Sequence, residues 1–164
     1  SLGSNYLYVT QKKQLGTGNA VQSAASVIEK YENTFVFVGD APFINYDIIR
    51  SLYDSHINLN SECSFLYSDF PFDLPYARLI KSELGTLTKC IEYGNANDEE
   101  KMMTSFFTSH YLFRSQRLLE FLFKIEMDDS GEYYLTDIIN IFFNKHIFGV
   151  VYINILYKIC IYTF

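Results

Sequence analysis

Residues 34–40, TFVFVGD, form an unbroken run of apolar, β-branched and aromatic side chains closed by Gly-Asp. Such a run tolerates water on neither face and reads as a strand buried inside a parallel sheet. The flanking segments suit that setting. Residues 19–30 place Ala20, Val21, Ala24, Val27 and Ile28 at helical spacing. A second helix is expected over residues 46–55 with Asn45 as its cap, after APFIN. Further strands are expected at 6–10, 62–67, 77–81, 87–92 and 106–113, with a Gly-containing hairpin turn, SELG, between 81 and 87. Residues 97–103 read as a short polar helix or turn. Ser115 is placed as the cap of a helix running to Ile125, DDSGEYY as a turn, and 135–144 as a final helix. Alternation of strands and helices through the first half predicts an α/β domain, with a mostly parallel sheet covered on both faces.

Composition narrows the chemistry. With 164 residues, 49% hydrophobic and 20% charged, the chain can bury a core of one domain. A net charge of −6 argues against nucleic-acid binding, which needs a basic patch. Cys63, Cys90 and Cys160 are too widely spaced for a disulfide framework or a zinc motif, so a reducing cytoplasm is expected. His56, His110 and His146 form no ligand cluster, and no Ser-His-Asp or Cys-His arrangement supports covalent catalysis. Residues 147–164, IFGVVYINILYKICIYTF, approach the length of a membrane span. Lys158 lies inside that run and its β-branched content suits strands, so a buried strand pair or aberrant sequence is preferred to a membrane role.

Short motifs carry the remaining signal. Asp40 lies just past a strand's carboxyl end, where α/β sheets bind ligands. It suits a Mg²⁺ ion bridging phosphates as well as it suits a turn or helix cap. In QKKQLGTGNA, residues 11–20, no Lys-Ser/Thr pair follows the second glycine, so this is not a P-loop. Its glycines permit close backbone approach to a ligand beside a helix start, and Gln11 and Gln14 carry amides suited to the imide edge of uracil. An ordinary glycine turn explains the same residues. In GEYYLTDI, residues 131–138, Thr136 can cap a helix with Asp137 in its first turn, and Tyr133 and Tyr134 can line a pocket or fill the core.

Four stretches in order, QKKQLGTGNAVQSA, FVFVGDAPFI, PYARLIKSELGTLTKCIE and GEYYLTDIINIF, resemble the N-acetylglucosamine-1-phosphate uridyltransferase family, the N-terminal pyrophosphorylase domain of a bacterial bifunctional enzyme. The likeness runs from about Val9 to Phe143. It implies a Rossmann-like nucleotidyltransferase fold with a mixed sheet and helices on both faces. It also implies in-line attack of a sugar-1-phosphate oxygen on the α-phosphate of UTP, forming UDP-N-acetylglucosamine with Mg²⁺ as cofactor. Carried over by position, Gln11 and Gln14 would read uracil, Gly16 and Thr17 would contact base and ribose, and Asp40, after Gly39, would bind Mg²⁺. Glu92 would accept from sugar hydroxyls, with Ala77, Tyr134 and Thr136 at the sugar pocket.

The departures from the family pattern are as specific. The family's opening strand and LAAGxGTRM loop, with its arginine and following lysine, have no match here, as if the first βα unit were missing. Val38 stands where the family has tyrosine, and Ala77 stands for the second glycine of GYGR. Gly94-Asn95 replaces Lys-Asp, and Phe107-Thr108-Ser109 replaces Asn-Thr-Gly. The late asparagine that completes the metal site has no counterpart. Each lost phosphate-binding group is worth about 2–4 kcal/mol of transition-state stabilisation, so the chain alone is expected not to turn over, and no residue is assigned a catalytic role. Residues 1–146 then form a partial nucleotidyltransferase domain and 147–164 a divergent tail. Activity would require a separate chain that supplies the missing unit. The alternatives are a non-catalytic remnant that still binds uridine nucleotides, and a nucleotidyltransferase of another base or acceptor.

Overall fold

A computed structural model describes residues 6–39 and 44–145, and the main chain of 150–154. Along the chain run α1 (Gly16–Ser23), α2 (Ala25–Ile28), β1 (Asn33–Val36), α3 (Tyr46–Asn58), β2 (Cys63–Asp69), β3 (Arg78–Lys81), β4 (Leu87–Ile91), α4 (Asp98–Lys101), β5 (Ser105–Arg114), α5 (Ser115–Leu122), α6 (Asp137–Asn144) and β6 (Val150–Asn154). The strands form one sheet in the order β4-β3-β5-β2-β6, with β1 also paired to β5. β2 covers one edge of β5 from Cys63 opposite Phe113 to Asp69 opposite Ser105. β1 and β3 therefore share the other edge end to end, Val36 opposite Tyr111 and Arg78 opposite Phe106.

Alternate residues of these strands feed two cores. Cys63, Phe65, Tyr67, Phe107, Tyr111 and Phe113 pack with Ile28, Leu118, Leu122, Ile138 and Phe142 of the α1, α2, α5 and α6 layer. Leu66 and Leu112 point the other way, onto Ile48 and Leu52 of α3. Helices thus cover both faces, and the fold is a mixed α/β sheet as expected. On the α3 side the buried His56 meets the Ser64 hydroxyl at 2.8 Å through Nδ1, and burial lowers its pKa to about 4.

Several expectations are corrected. The sheet is not mostly parallel: β1, β2 and β3 run antiparallel to β5, β3 is antiparallel to β4, and among the described residues β2–β6 is the parallel pair. An apolar run reports burial of both faces but carries no information about the direction of its neighbours, and β1 is only half-buried. Residues 6–10 are not a strand, and Tyr6, Leu7, Tyr8 and Val9 are exposed. Ser115 does not cap α5, because its hydroxyl pairs with Thr34 Oγ1 at 2.7 Å across the sheet. Asn45 caps α3 as expected, accepting from Ile48 N at 3.0 Å. Asn97 and Glu100 form a reciprocal capping box on α4.

Phe113 is fully buried between Tyr111 and Phe142. Phe113→Ala is expected to lower unfolding stability by about 3–5 kcal/mol, read as a shifted denaturant midpoint at unchanged slope.

Candidate functional site

The LGTG and GEYYLT stretches are clasped together. Tyr133 N donates to Leu15 O at 2.9 Å, Gly18 N to Tyr133 O at 2.7 Å, and Leu135 N to Thr17 Oγ1 at 3.0 Å. The two glycines are needed for this approach. A Cβ on Gly16 would stand 2.7 Å from Tyr133 O, at a φ of +88°, and one on Gly18 would stand 2.9 Å from the same oxygen. Chain packing therefore gives Gly16 and Gly18 a reason independent of any ligand.

The clasp sets up both ends of the site. On the loop side, Gln11 Nε2 donates to Gly16 O at 3.2 Å and to Asn19 Oδ1 at 3.0 Å, while Gln14 is exposed. On the other side, the GEYY turn closes on Asp128, which accepts from Ser130 Oγ at 2.6 Å, Ser130 N at 2.9 Å, Glu132 N at 3.1 Å and Asn95 Nδ2 at 3.2 Å. Led by the Ser130 hydroxyl, these donors hold its pKa at about 2. Tyr134 is half-buried, its hydroxyl 3.5 Å from Ser130 Oγ.

Thr136 stands at the start of α6 but does not cap it; its buried hydroxyl donates to Glu92 Oε1 at 2.8 Å. Glu92 follows β4, whose Ile91 pairs with Arg78, so Glu92 and Ala77 emerge at the same end of the β3–β4 hairpin. Ala77 is buried and its carbonyl accepts from Phe107 N at 2.9 Å. Hence Gln11, Gly16, Thr17, Tyr134, Thr136, Glu92 and Ala77 form one connected region. Gly39 lies beyond β1 on the edge of β5 that β3 also uses. Asp40 lies outside the described residues, as do His146 and Cys160.

Burial pushes the Glu92 carboxyl up, against the opposing Thr136 hydrogen bond, and burial likewise raises Asp137. Burial also pushes the thiols of Cys63 and Cys90 well up, which suits core packing rather than nucleophilic chemistry. No group of three or more His, Cys, Asp or Glu among the described residues could hold a metal ion. Nor is any helix among them long and apolar enough to cross a membrane.

Two structural supports escaped the sequence reading. Arg78 is wholly buried, donating to Leu74 O at 2.7 Å, Lys101 O at 3.3 Å and Asp73 Oδ1 at 2.6 Å, with the Phe106 ring 4.2 Å away. It ties the loop before Ala77 to the sheet. Asn140 uses its amide to pair with both main-chain groups of Cys90, each at 2.8 Å, docking α6 on β4 beside Glu92. The available signals were a lone arginine in YARLI and a lone asparagine in the apolar DIINIF. In the β2–β5 ladder, β5 carries extra residues between Phe107 and Tyr111, and Ser109 there adopts φ 57°. That left-handed conformation favours glycine, and the resembled family has glycine at this position.

No protein-family model matches the chain. The bifunctional protein GlmU of Lactococcus lactis subsp. lactis is 39% identical over 137 residues, covering 82% of this chain and 30% of that protein. GlmU of Streptococcus pyogenes serotype M3 is 36% identical over 143 residues, covering 86% and 31%. A UDP-glucose pyrophosphorylase crystallised with UDP-glucose superposes with TM-score 0.66 at 14% identity, over 85% of this chain and 54% of that one. A Bacillus anthracis protein assigned as glucose-1-phosphate thymidylyltransferase gives TM-score 0.66 at 17% identity, over 88% and 55%. Over most of its length the chain is similar to the GlmU proteins, and it shares its fold with the two pyrophosphorylase-type structures. It spans about a third of the length of the GlmU proteins it matches.

In this GlmU-like chain, Gly16→Ala is expected to cost about 1–3 kcal/mol through strain at positive φ and the clash with Tyr133, lowering the melting temperature. Glu92 binds its proton more tightly folded than unfolded, so its contribution to stability is complete below roughly pH 4 and is lost as pH rises through the raised value. Glu92→Gln should flatten that decline; melting temperatures measured across the acid-to-neutral range check it.

Proposed function

We propose that this chain is the recognition half of a sugar-phosphate uridylyltransferase-type site, taking UTP with N-acetylglucosamine-1-phosphate, or the product UDP-N-acetylglucosamine. The observation that carries the reading is the clasp, which links the Gln11–Thr17 loop to the Thr136–Glu92 pair. A uridine reader and a sugar-hydroxyl acceptor are thereby held at a fixed separation, as a nucleotide sugar requires. Gln11 and Gln14 face uracil, and Gly16 and Thr17 lie along base and ribose. Glu92, Tyr134, Thr136 and Ala77 surround the sugar, and Gly39 lies toward the phosphates. Residues 1–146 form this unit. The tail, 147–164, contributes the main chain of Val150–Asn154 to the same sheet, parallel to β2.

The reaction in this class needs no covalent nucleophile; the protein aligns the two substrates and excludes water from them. Half-buried Glu92 accepts sugar hydroxyls in its ionised form, and Thr136 holds one of its oxygens. Mg²⁺, when bound, supplies charge neutralisation on the phosphates. The carboxylate assigned to it, Asp40, lies outside the described residues.

None of the 164 residues matches the glycine-rich triphosphate loop of the resembled family. Turnover then calls for a segment carrying that loop, in the same polypeptide or in a separate chain. Incubation of these residues with UTP, Mg²⁺ and N-acetylglucosamine-1-phosphate is expected to release no pyrophosphate above background; clear turnover refutes that part. In calorimetry, UDP-N-acetylglucosamine should bind about tenfold or more tightly than UDP, and Thr136→Ala should erase most of that difference. Absence of any uridine-nucleotide binding would overturn the assignment.

A further inference from the structure

Gln11 sits at one end of a chain of side-chain amides whose far end is a helix terminus. Leu122 closes α5, and a carbonyl in a helix's last turn lacks an intrahelical donor. Gln22 Nε2 donates to Leu122 O at 3.0 Å. Because a carbonyl only accepts, Gln22 must present its nitrogen there and its oxygen to the other side. That oxygen accepts from Asn19 Nδ2 at 3.3 Å, so Asn19 turns its own oxygen toward Gln11. Asn19 Oδ1 accepts from Gln11 Nε2 at 3.0 Å, and Gly16 O takes the second proton of the same nitrogen at 3.2 Å. Both donors of Gln11 are then engaged, and the group left to a ligand is an acceptor, Oε1.

We propose that Asn19 and Gln22 are positioning residues that lock the Gln11 amide with its oxygen outward, so that this site selects a nucleobase bearing an imide N–H. The inference rests on the uridine reading above and adds the source of its base selectivity. Uracil offers an N3–H donor to that oxygen. Cytosine has a lone pair at the same ring position, and facing two acceptors leaves both unpaired and desolvated. Without the relay only the longer bond to Gly16 O, at 3.2 Å, opposes a half-turn of the amide that would let it donate to cytosine instead. Neither Asn19 nor Gln22 needs to touch the base to have this effect. Their substitution should therefore change the ratio of affinities between bases rather than affinity as a whole.

The test has a ligand-free arm and a binding arm. In side-chain amide NMR, the Gln11 Nε2 protons should exchange with water more slowly than those of the exposed Gln14. Asn19→Leu and Gln22→Leu should each speed the exchange of Gln11, whereas Asn19→Asp, which keeps an acceptor opposite Gln11, should preserve it. In calorimetry the wild-type chain should prefer UTP to CTP by about tenfold or more, falling to about threefold or less in Asn19→Leu and Gln22→Leu but not in Asn19→Asp. Melting curves on each variant separate this from loss of fold. A wild-type preference that Asn19→Leu and Gln22→Leu both leave intact overturns the relay. Equal wild-type binding of UTP and CTP overturns the uracil reading beneath it.

Discussion

The hydrogen-bond ladder of β5 is the constraint on which the other elements depend. A ten-residue strand is long enough to pair with β2 along one edge while β1 and β3 divide the other. Its side chains alternate between the α3 layer and the larger helical layer, so one strand anchors both cores. Where β1 and β3 leave a gap, the strand bulges and Ser109 turns into the left-handed region. Bulges of this kind redirect side chains beside functional sites. The ends of β1 and β3, carrying Gly39 and Ala77, are aimed at that stretch by register alone.

The site is assembled by main-chain packing before any side-chain chemistry. Gly16 and Gly18 let the Tyr133 backbone come so close that a methyl group would not fit. That contact brings the LGTG loop and the GEYYLT turn together across more than a hundred residues of chain. Buried polar groups then hold the walls. Arg78 satisfies carbonyls of the loop before Ala77, and Asn140 pairs with Cys90 to hold α6 on β4. Each replaces solvent for groups that would otherwise be costly to bury. Glu92 is the exception, half-buried, with its carboxyl pushed up by desolvation and held by one threonine hydroxyl.

Much of this was legible along the chain. The apolar runs located β1, β2 and β5, the Asn45 cap located a helix start, and SELG located the β3–β4 turn. The motif order pointed to the sugar-nucleotidyltransferase fold, and the GlmU relatives and structural neighbours agree with it. The misreadings share a cause. Ser115 and Thr136 have the right residue type and place for helix caps, but each hydroxyl found a partner distant in sequence, Thr34 and Glu92. Local propensity carries no record of such competitors. Strand direction was misjudged for the same reason, since it depends on which strand arrives alongside.

Residue order was enough to set the periodicities, the turns and the paired apolar faces, because these depend on neighbours within a few positions. The close approach of Tyr133 to Gly16, the burial of Arg78, the Thr136–Glu92 hydrogen bond, and the amide relay from Leu122 to Gln11 depend on segments separated by up to 118 residues. Hydrogen-bond polarity and desolvation are set by whichever groups meet in space. Only the packed sheet and its helices determine those meetings.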